Sequence, residues 1–340
     1  MNRFVRYTLL FILIAFIPVA GCRYLSTSGS EPLKAEGQTM GTTYHITYFD
    51  EQKRDFSKSI DSLLVLVNKS INTYDRSSEI TSFNTGKSFR FTLPYFLPLI
   101  EKSREVYTAS SGAFDPTVMP LVNAWGFGPA REAMPDSARV DSLRQLVGFN
   151  KIVFNQDSVW KKDTRMQLDF GGIGQGYGAD IITHFLRAKG IKNMLVELGG
   201  EGMACGINLK SGKAWELGIL DPNSTEVNQF MKAYVMLTDR SYTTAGTYFN
   251  YYEVDGRKYA HTIDPTTGYP AQNELLSVSV FATDCTTADA WDTALMAMGK
   301  EKAMATLQQH PEIDALLIFS TPQGLGTFAT EKITPYLSIQ

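Results

Sequence analysis

The chain has 340 residues, 44% hydrophobic and 12% aromatic, enough to bury a large core as one big domain or two fused halves. Such a composition excludes a disordered chain. A formal charge of −3 with no basic block excludes a general nucleic-acid binder, because phosphate contacts need clustered cations.

The N-terminus reads as an export signal. Arg3 and Arg6 precede an apolar run over residues 9–17, followed by Pro18-Val19-Ala20-Gly21-Cys22. The run is shorter than the about 20 residues a membrane span needs, so a cleaved leader over residues 1–21 is favoured over an anchor helix. Val-Ala-Gly-Cys is also the pattern of a bacterial lipobox, which would make Cys22 the lipidated first residue, held to the membrane with its domain on the periplasmic side. An ordinary secretory signal is the alternative. Residues 22–36, polar and Ser-rich, then read as a flexible tether before a domain spanning 37–340.

Within that domain, Thr42, Tyr44, Ile46 and Tyr48 alternate as in a strand over 38–49. Phe56, Ile60, Leu63, Leu64 and Val67 fall at helical spacing over 55–71. Residues 72–84 read as a polar loop carrying one aromatic, Tyr74. A second helix over 93–107 is stopped by Ser110-Ser111-Gly112, and Ala113-Phe114-Asp115-Pro116-Thr117 follows. A short helix over 139–147 and strands over 151–160 and 165–170 come next. With no repeat, low-complexity segment or linker after residue 36, the fold expected is α+β: a single compact domain of mixed sheet with flanking helices, with two lobes as the arrangement its length also allows.

Three segments carry chemistry. Leu168-Asp169-Phe170-Gly171-Gly172-Ile173-Gly174-Gln175-Gly176-Tyr177-Gly178 reads as a strand end opening a helix over 179–189, with another strand over 193–198. Glycine backbones approach phosphates closely and helix N-termini favour negative charge, so this is a phosphate-binding candidate. It nearly imitates a dinucleotide fingerprint, but its glycines recur every second residue instead of as G-x-G-x-x-G, and Asp169 sits at the mouth. Packing of helix on strand is the plainer reading of the same glycines.

The segment Tyr259-Ala260-His261-Thr262-Ile263-Asp264-Pro265-Thr266-Thr267-Gly268-Tyr269-Pro270 puts an imidazole and a carboxylate on a turn after strands over 250–254 and 258–263. A hairpin corner in which His261 only packs is the alternative. In a helix over 286–299, Asp289 and Thr293 are four apart and share a face, a carboxylate and a hydroxyl suited to Mg²⁺. Asp289 returning to the Thr286 amide as a capping box accounts for the same spacing. Cys205 and Cys285 have no neighbouring Cys or His at ligand spacing; they pair or stay free.

Taken in order, Thr39-Met40-Gly41-Thr42-Thr43-Tyr44, Thr73-Tyr74-Asp75 with Ser78-Glu79-Ile80 and Phe83-Asn84, Gly112 to Thr117 with Trp125-Gly126-Phe127-Gly128, the glycine run, the His261 segment and Ala288-Asp289 with Thr293-Ala294-Leu295 form one set. The set resembles the FAD:protein FMN transferases, the ApbE-type flavin transferases, from about residue 37 to the C-terminus. The resemblance implies a Mg²⁺-dependent enzyme that splits FAD and transfers FMN to a Thr or Ser of a target protein, releasing AMP. Carried over motif by motif, it implies FAD contacts at Met40, Tyr74, Ala113, Phe114, Asp115, Asp169, Gln175 and Ile263. It implies metal ligands at the Gly172 carbonyl, Asp289 and Thr293, with His261 as the base. The acceptor implied is a flavoprotein subunit of an exported or membrane redox complex. The chain departs from the commonest pattern at Gln175, often Lys, and Thr247, often Asp. A plain FAD pyrophosphatase, an FAD-binding lipoprotein and, more distantly, a nicotinamide enzyme are the rival expectations.

Overall fold

The computed structural model describes residues 31–129, 134–225, 227–246, 251–254, 257–272 and 274–340. The expected leader over 1–21, Cys22 and Thr247 lie outside them.

An eight-stranded sheet organises the molecule. Its strands run in the order Leu33–Thr39, Thr42–Tyr48, Met194–Leu198, Glu201–Cys205, Arg240–Gly246, Leu275–Phe281, Asp314–Thr321 and Gly324–Ala329. Every pairing among the described residues is antiparallel, so the expected mixed sheet takes an antiparallel form within the α+β class. Helices cover one face and a small three-stranded sheet the other, each burying the side chains that alternation points toward it.

On the helical face lie Ser57–Ile71, Gly174–Ala188 and Cys285–Met298. Ile60, Leu64, Val67 and Ile71 form the buried stripe of the first, the spacing a helix needs to meet a sheet. Its neighbour Gly174–Ala188 packs Ile182 and Leu186 against Val196 and Leu198 in one cluster. On the opposite face, Trp215–Leu220, Met231–Leu237 and Leu337–Ile339 form a sheet whose Trp215, Ile219, Val235 and Leu237 bury against Phe281, Leu316 and Ile318. A third cluster of apolar residues joins the helix Phe96–Ala109 to Trp291, Leu295 and a second three-stranded sheet, Ser88–Arg90, Ser158–Lys161 and Ile152–Phe154, around Val159.

Several sequence expectations shift. The single strand over 38–49 is a hairpin, Leu33–Thr39 with Thr42–Tyr48, closed by Met40-Gly41. Both turn residues have positive φ, 49° and 75°, the mark of a type I′ turn that matches strand twist. Pairing from Leu33 with Tyr48 onward puts sheet structure within the stretch over 22–36 expected to be a tether. Residues 72–84 are not all loop: a helix Glu79–Thr85 starts there, capped by Ser78. No strand forms over 165–170, an extended run that takes its partners from side chains and from Pro116.

Candidate active site

The glycine run resolves into two parts with different work. Gly171 and Gly172 precede the helix, whereas Gly174, Gly176 and Gly178 lie inside Gly174–Ala188, which starts five residues earlier than the sequence reading put it. Within the helix the glycines allow close approach. A Cβ on Gly176 would stand 2.4 Å from the Cys285 carbonyl oxygen, and one on Gly178 would stand 2.8 Å from Leu198 Cδ2. The packing explanation therefore holds for this part, and the antiparallel sheet leaves no parallel βαβ unit among the described residues for a dinucleotide fingerprint.

That close approach places the Gly176 N–H 2.8 Å from Asp289 Oδ2, to which it donates. The capping-box alternative for Asp289 fails for a plain reason: its intended amide is taken. Asp180 accepts from the amides of Cys285 and Thr286 at 2.9 and 2.8 Å, and Asp284 is the helix N-cap through the Thr287 amide. Asp289 is thus available to the cleft. Beside it, a Cβ on Gly172 would stand 2.7 Å from Thr293 Oγ1, so the Gly172 backbone and the Thr293 hydroxyl face each other closely.

A cleft of about 1400 Å³ collects these groups. Its volume exceeds the usual 300–1,000 Å³ of a small-ligand pocket. Met40, Tyr74, Asp169, Gly172, Gln175, His261, Ile263, Asp289 and Thr293 all line it. Met40 sits at the hairpin tip, and Asn68 beside it donates to Thr39 Oγ1 at 2.8 Å, fixing that tip to the end of a helix. Tyr74 is exposed, its hydroxyl donating to the Phe127 carbonyl at 3.2 Å across the mouth.

Ala113, Phe114 and Asp115 do not line the cleft. All three are buried, and Asp115 accepts from the amides of Thr117 and Phe149 at 2.8 and 3.2 Å. Burial pushes its carboxyl up to about 6. These side chains shape the scaffold: the next residue, Pro116, accepts from the Asp169 amide at 2.8 Å. Asn84 completes the support by bonding both backbone groups of Leu168, at 2.8 and 2.7 Å.

The turn bearing His261 is pinned at several points. Asp264 accepts from the Thr266 amide at 2.8 Å and from the Thr267 hydroxyl at 2.9 Å, while Trp125 Nε1 donates to the Gly268 carbonyl at 2.8 Å. Gly268 has φ +80°, and a Cβ there would stand 2.8 Å from Val140 Cγ1, so only glycine fits this corner. Asp264 is spent on the turn and does not line the cleft, which leaves His261 as the basic group on that wall.

Electrostatics favour a hard cation beside Asp289. Burial pushes its carboxyl up to about 7, and burial with mutual repulsion raises Asp292 and Glu201 well above the carboxylate range. Glu201 Oε2 has no hydrogen-bond partner among the described residues. Among those residues no three His, Cys, Asp or Glu side chains converge as a metal cage. The set that fits an ion is instead one carboxylate, one hydroxyl and one carbonyl, all hard oxygens, beside acids that burial keeps protonated and that a cation would favour in their charged form. Asp292 and Glu201 were not singled out by sequence reasoning. Asp292 carried a signal, since it lies one turn from Asp289, whereas Glu201 reaches the site only through the bend at Gly199 and Gly200. Cys205 and Cys285 are buried and unpaired.

The model of the ApbE family matches residues 40–317. The FAD:protein FMN transferase of Vibrio cholerae serotype O1 is 34% identical, over 96% of this chain and 98% of its own. That of Escherichia coli K12 is 31% identical over 96% and 99%. Among solved structures, the flavin transferase ApbE from Vibrio cholerae superposes with a TM-score of 0.81 at 33% identity, covering 90% of this chain and 99% of its own.

Proposed function

The chain belongs to the ApbE family, and from that premise we propose that it transfers FMN from FAD to a Thr or Ser hydroxyl of a target protein, with Mg²⁺ as the metal. The observation that carries the reading is the meeting in one cleft of His261 with Gly172, Asp289 and Thr293. Met40, Tyr74, Asp169, Gln175 and Ile263 border the same space and would hold FAD. Tyr74 offers an aromatic face at the mouth, where a flavin or adenine ring would stack.

The reaction balances simply. The acceptor Oγ forms a bond to the phosphorus of the FMN half, and the bond from that phosphorus to the bridging oxygen breaks. AMP leaves with the bridging oxygen, and the hydroxyl proton passes to an imidazole nitrogen of His261. Asp289, Thr293 and the Gly172 carbonyl would hold Mg²⁺, which would supply charge neutralisation at the diphosphate. Gln175 supplies a neutral amide near the diphosphate, where a lysine would add charge.

The lipobox at Val19-Ala20-Gly21-Cys22 supports attachment through lipid on Cys22, with the domain on the periplasmic side and the acceptor a subunit of an exported or membrane redox complex. One assay tests the reading. The chain is incubated with FAD, Mg²⁺ and hydroxyl-bearing acceptor proteins, and covalent flavin fluorescence on the acceptor is expected. Free FMN plus AMP with no labelled protein would mean a pyrophosphatase, and unaltered FAD a binding protein.

A further inference from the structure

The strand Trp215–Leu220 is a margin of the three-stranded sheet. It pairs with Met231–Leu237 on one side, and among the described residues no strand pairs with its other side. Its last three residues, Gly218, Ile219 and Leu220, line the same cleft as His261 and Asp289. An antiparallel margin leaves every second N–H and C=O without a strand partner, a ready template for another extended chain. Pro, charge or a bulge usually blunts such an edge. This strand, WELGIL, has no Pro or Lys, its one charge is the exposed Glu216 at the end away from the cleft-lining residues, and its pairing shifts register only between Ile219 and Leu220.

The edge is held firmly from beneath. Trp215 and Ile219 are buried, and Trp215 Nε1 donates to the Cys205 carbonyl at 2.9 Å. Gly218 is exposed, and the Met231 sulfur lies 2.6 Å from where its Cβ would stand, putting a deformable thioether beside the edge.

We propose that the acceptor segment docks as an added extended strand on the Trp215–Leu220 edge, delivering its hydroxyl-bearing residue to the His261 wall of the cleft. The proposal rests on the transferase reading. A Ser or Thr side chain is short, so the acceptor backbone itself must enter the cleft for its hydroxyl to reach a phosphorus there. Once inside, its N–H and C=O groups lose water and need partners, and a strand edge running into the cleft supplies them at the right spacing. The occupant is therefore an extended, hydroxyl-bearing polypeptide segment recognised largely through its main chain.

The test uses short synthetic peptides with a central Thr and varied flanks, incubated with the protein, FAD and Mg²⁺, and scored by covalent flavin fluorescence and the mass added by FMN. The best-labelled peptide is remade with one backbone N-methyl group at a time. Labelling is expected to fall about tenfold at every second position, the worth of roughly one hydrogen bond, and to hold between them. Amide exchange across residues 215–220 is expected to slow with the unmodified peptide and not with an inactive N-methyl form. A response with no alternation, or unchanged exchange, overturns the docking mode alone, because labelling itself has then succeeded. Absence of any labelled peptide while FAD is still cleaved overturns main-chain docking of short segments; absence of both labelling and cleavage sinks the transferase reading with it.

Discussion

Asp289 is held by one backbone amide and surrounded by two further buried acids, so its charge is costly until a cation balances it. Asp289→Asn keeps the size of the side chain and removes the charge. The variant is expected to lose at least about 10²-fold in transfer while melting no lower than the parent in the absence of metal. Mg²⁺ should raise the melting temperature of the parent and leave the variant unmoved, since only a protein that binds the ion is stabilised by it. Full activity of the variant at limiting Mg²⁺ would remove Asp289 from the metal site. His261→Ala is expected to cost about 10²- to 10⁴-fold in transfer with FAD affinity unchanged, the usual worth of a general base. Loss of affinity in step with rate would make His261 a wall of the pocket instead. Both residues were legible in the sequence because their motifs are local: a turn and an i, i+4 pair. Asp180 and Glu201 were not, because each meets its partners from a distant part of the chain.

At the level of elements, helix Gly174–Ala188 lies against helix Cys285–Met298 only because Gly176 has no side chain. Gly176→Ala would drive a methyl into the Cys285 carbonyl, a backbone atom that cannot turn aside. The expected cost is about 1–3 kcal/mol by chemical denaturation, together with weaker Mg²⁺ binding, because separating the helices lengthens the bond from Gly176 to Asp289. Unchanged stability would show that the helices shift freely. Long amphipathic helices such as Ser57–Ile71 were readable from their apolar stripe. The helix Glu79–Thr85 was not, since its anchor is tertiary: the Glu79 carboxylate accepts from the amides of Thr92 and Leu93 at 2.7 and 2.8 Å. In the same way the glycine run resembled a strand and phosphate loop because closely packed helices and phosphate cradles both call for glycine.

For the molecule as a whole, the fully buried Lys161 links stability to alkaline pH. Its ammonium donates to the carbonyls of Asn84 and Met166 at 2.9 and 2.6 Å, and burial lowers its pKa from 10.5 to about 8. The unfolded chain therefore binds more protons than the folded one between those values, so this residue makes stability rise as pH climbs from about 8 to 10.5. Denaturation of the parent and of Lys161→Met across that range should show the rise in the parent only; parallel curves would mean that Lys161 stays charged when folded.

Cys22→Ser is expected to leave an unprocessed, unacylated precursor, whereas normal release of a soluble form would point to an ordinary signal peptidase. The N-terminal hairpin gives that attachment a geometric meaning. Strand pairing begins at Leu33, eleven residues beyond Cys22, and no chain of that length spans more than about 40 Å. A lipid on Cys22 would thus put the catalytic cleft on a short leash, patrolling a shell next to the bilayer. Its clientele would then be chosen partly by altitude: a hydroxyl carried on a membrane-embedded subunit lies within the shell, and the same hydroxyl on a protein diffusing through the bulk compartment mostly does not.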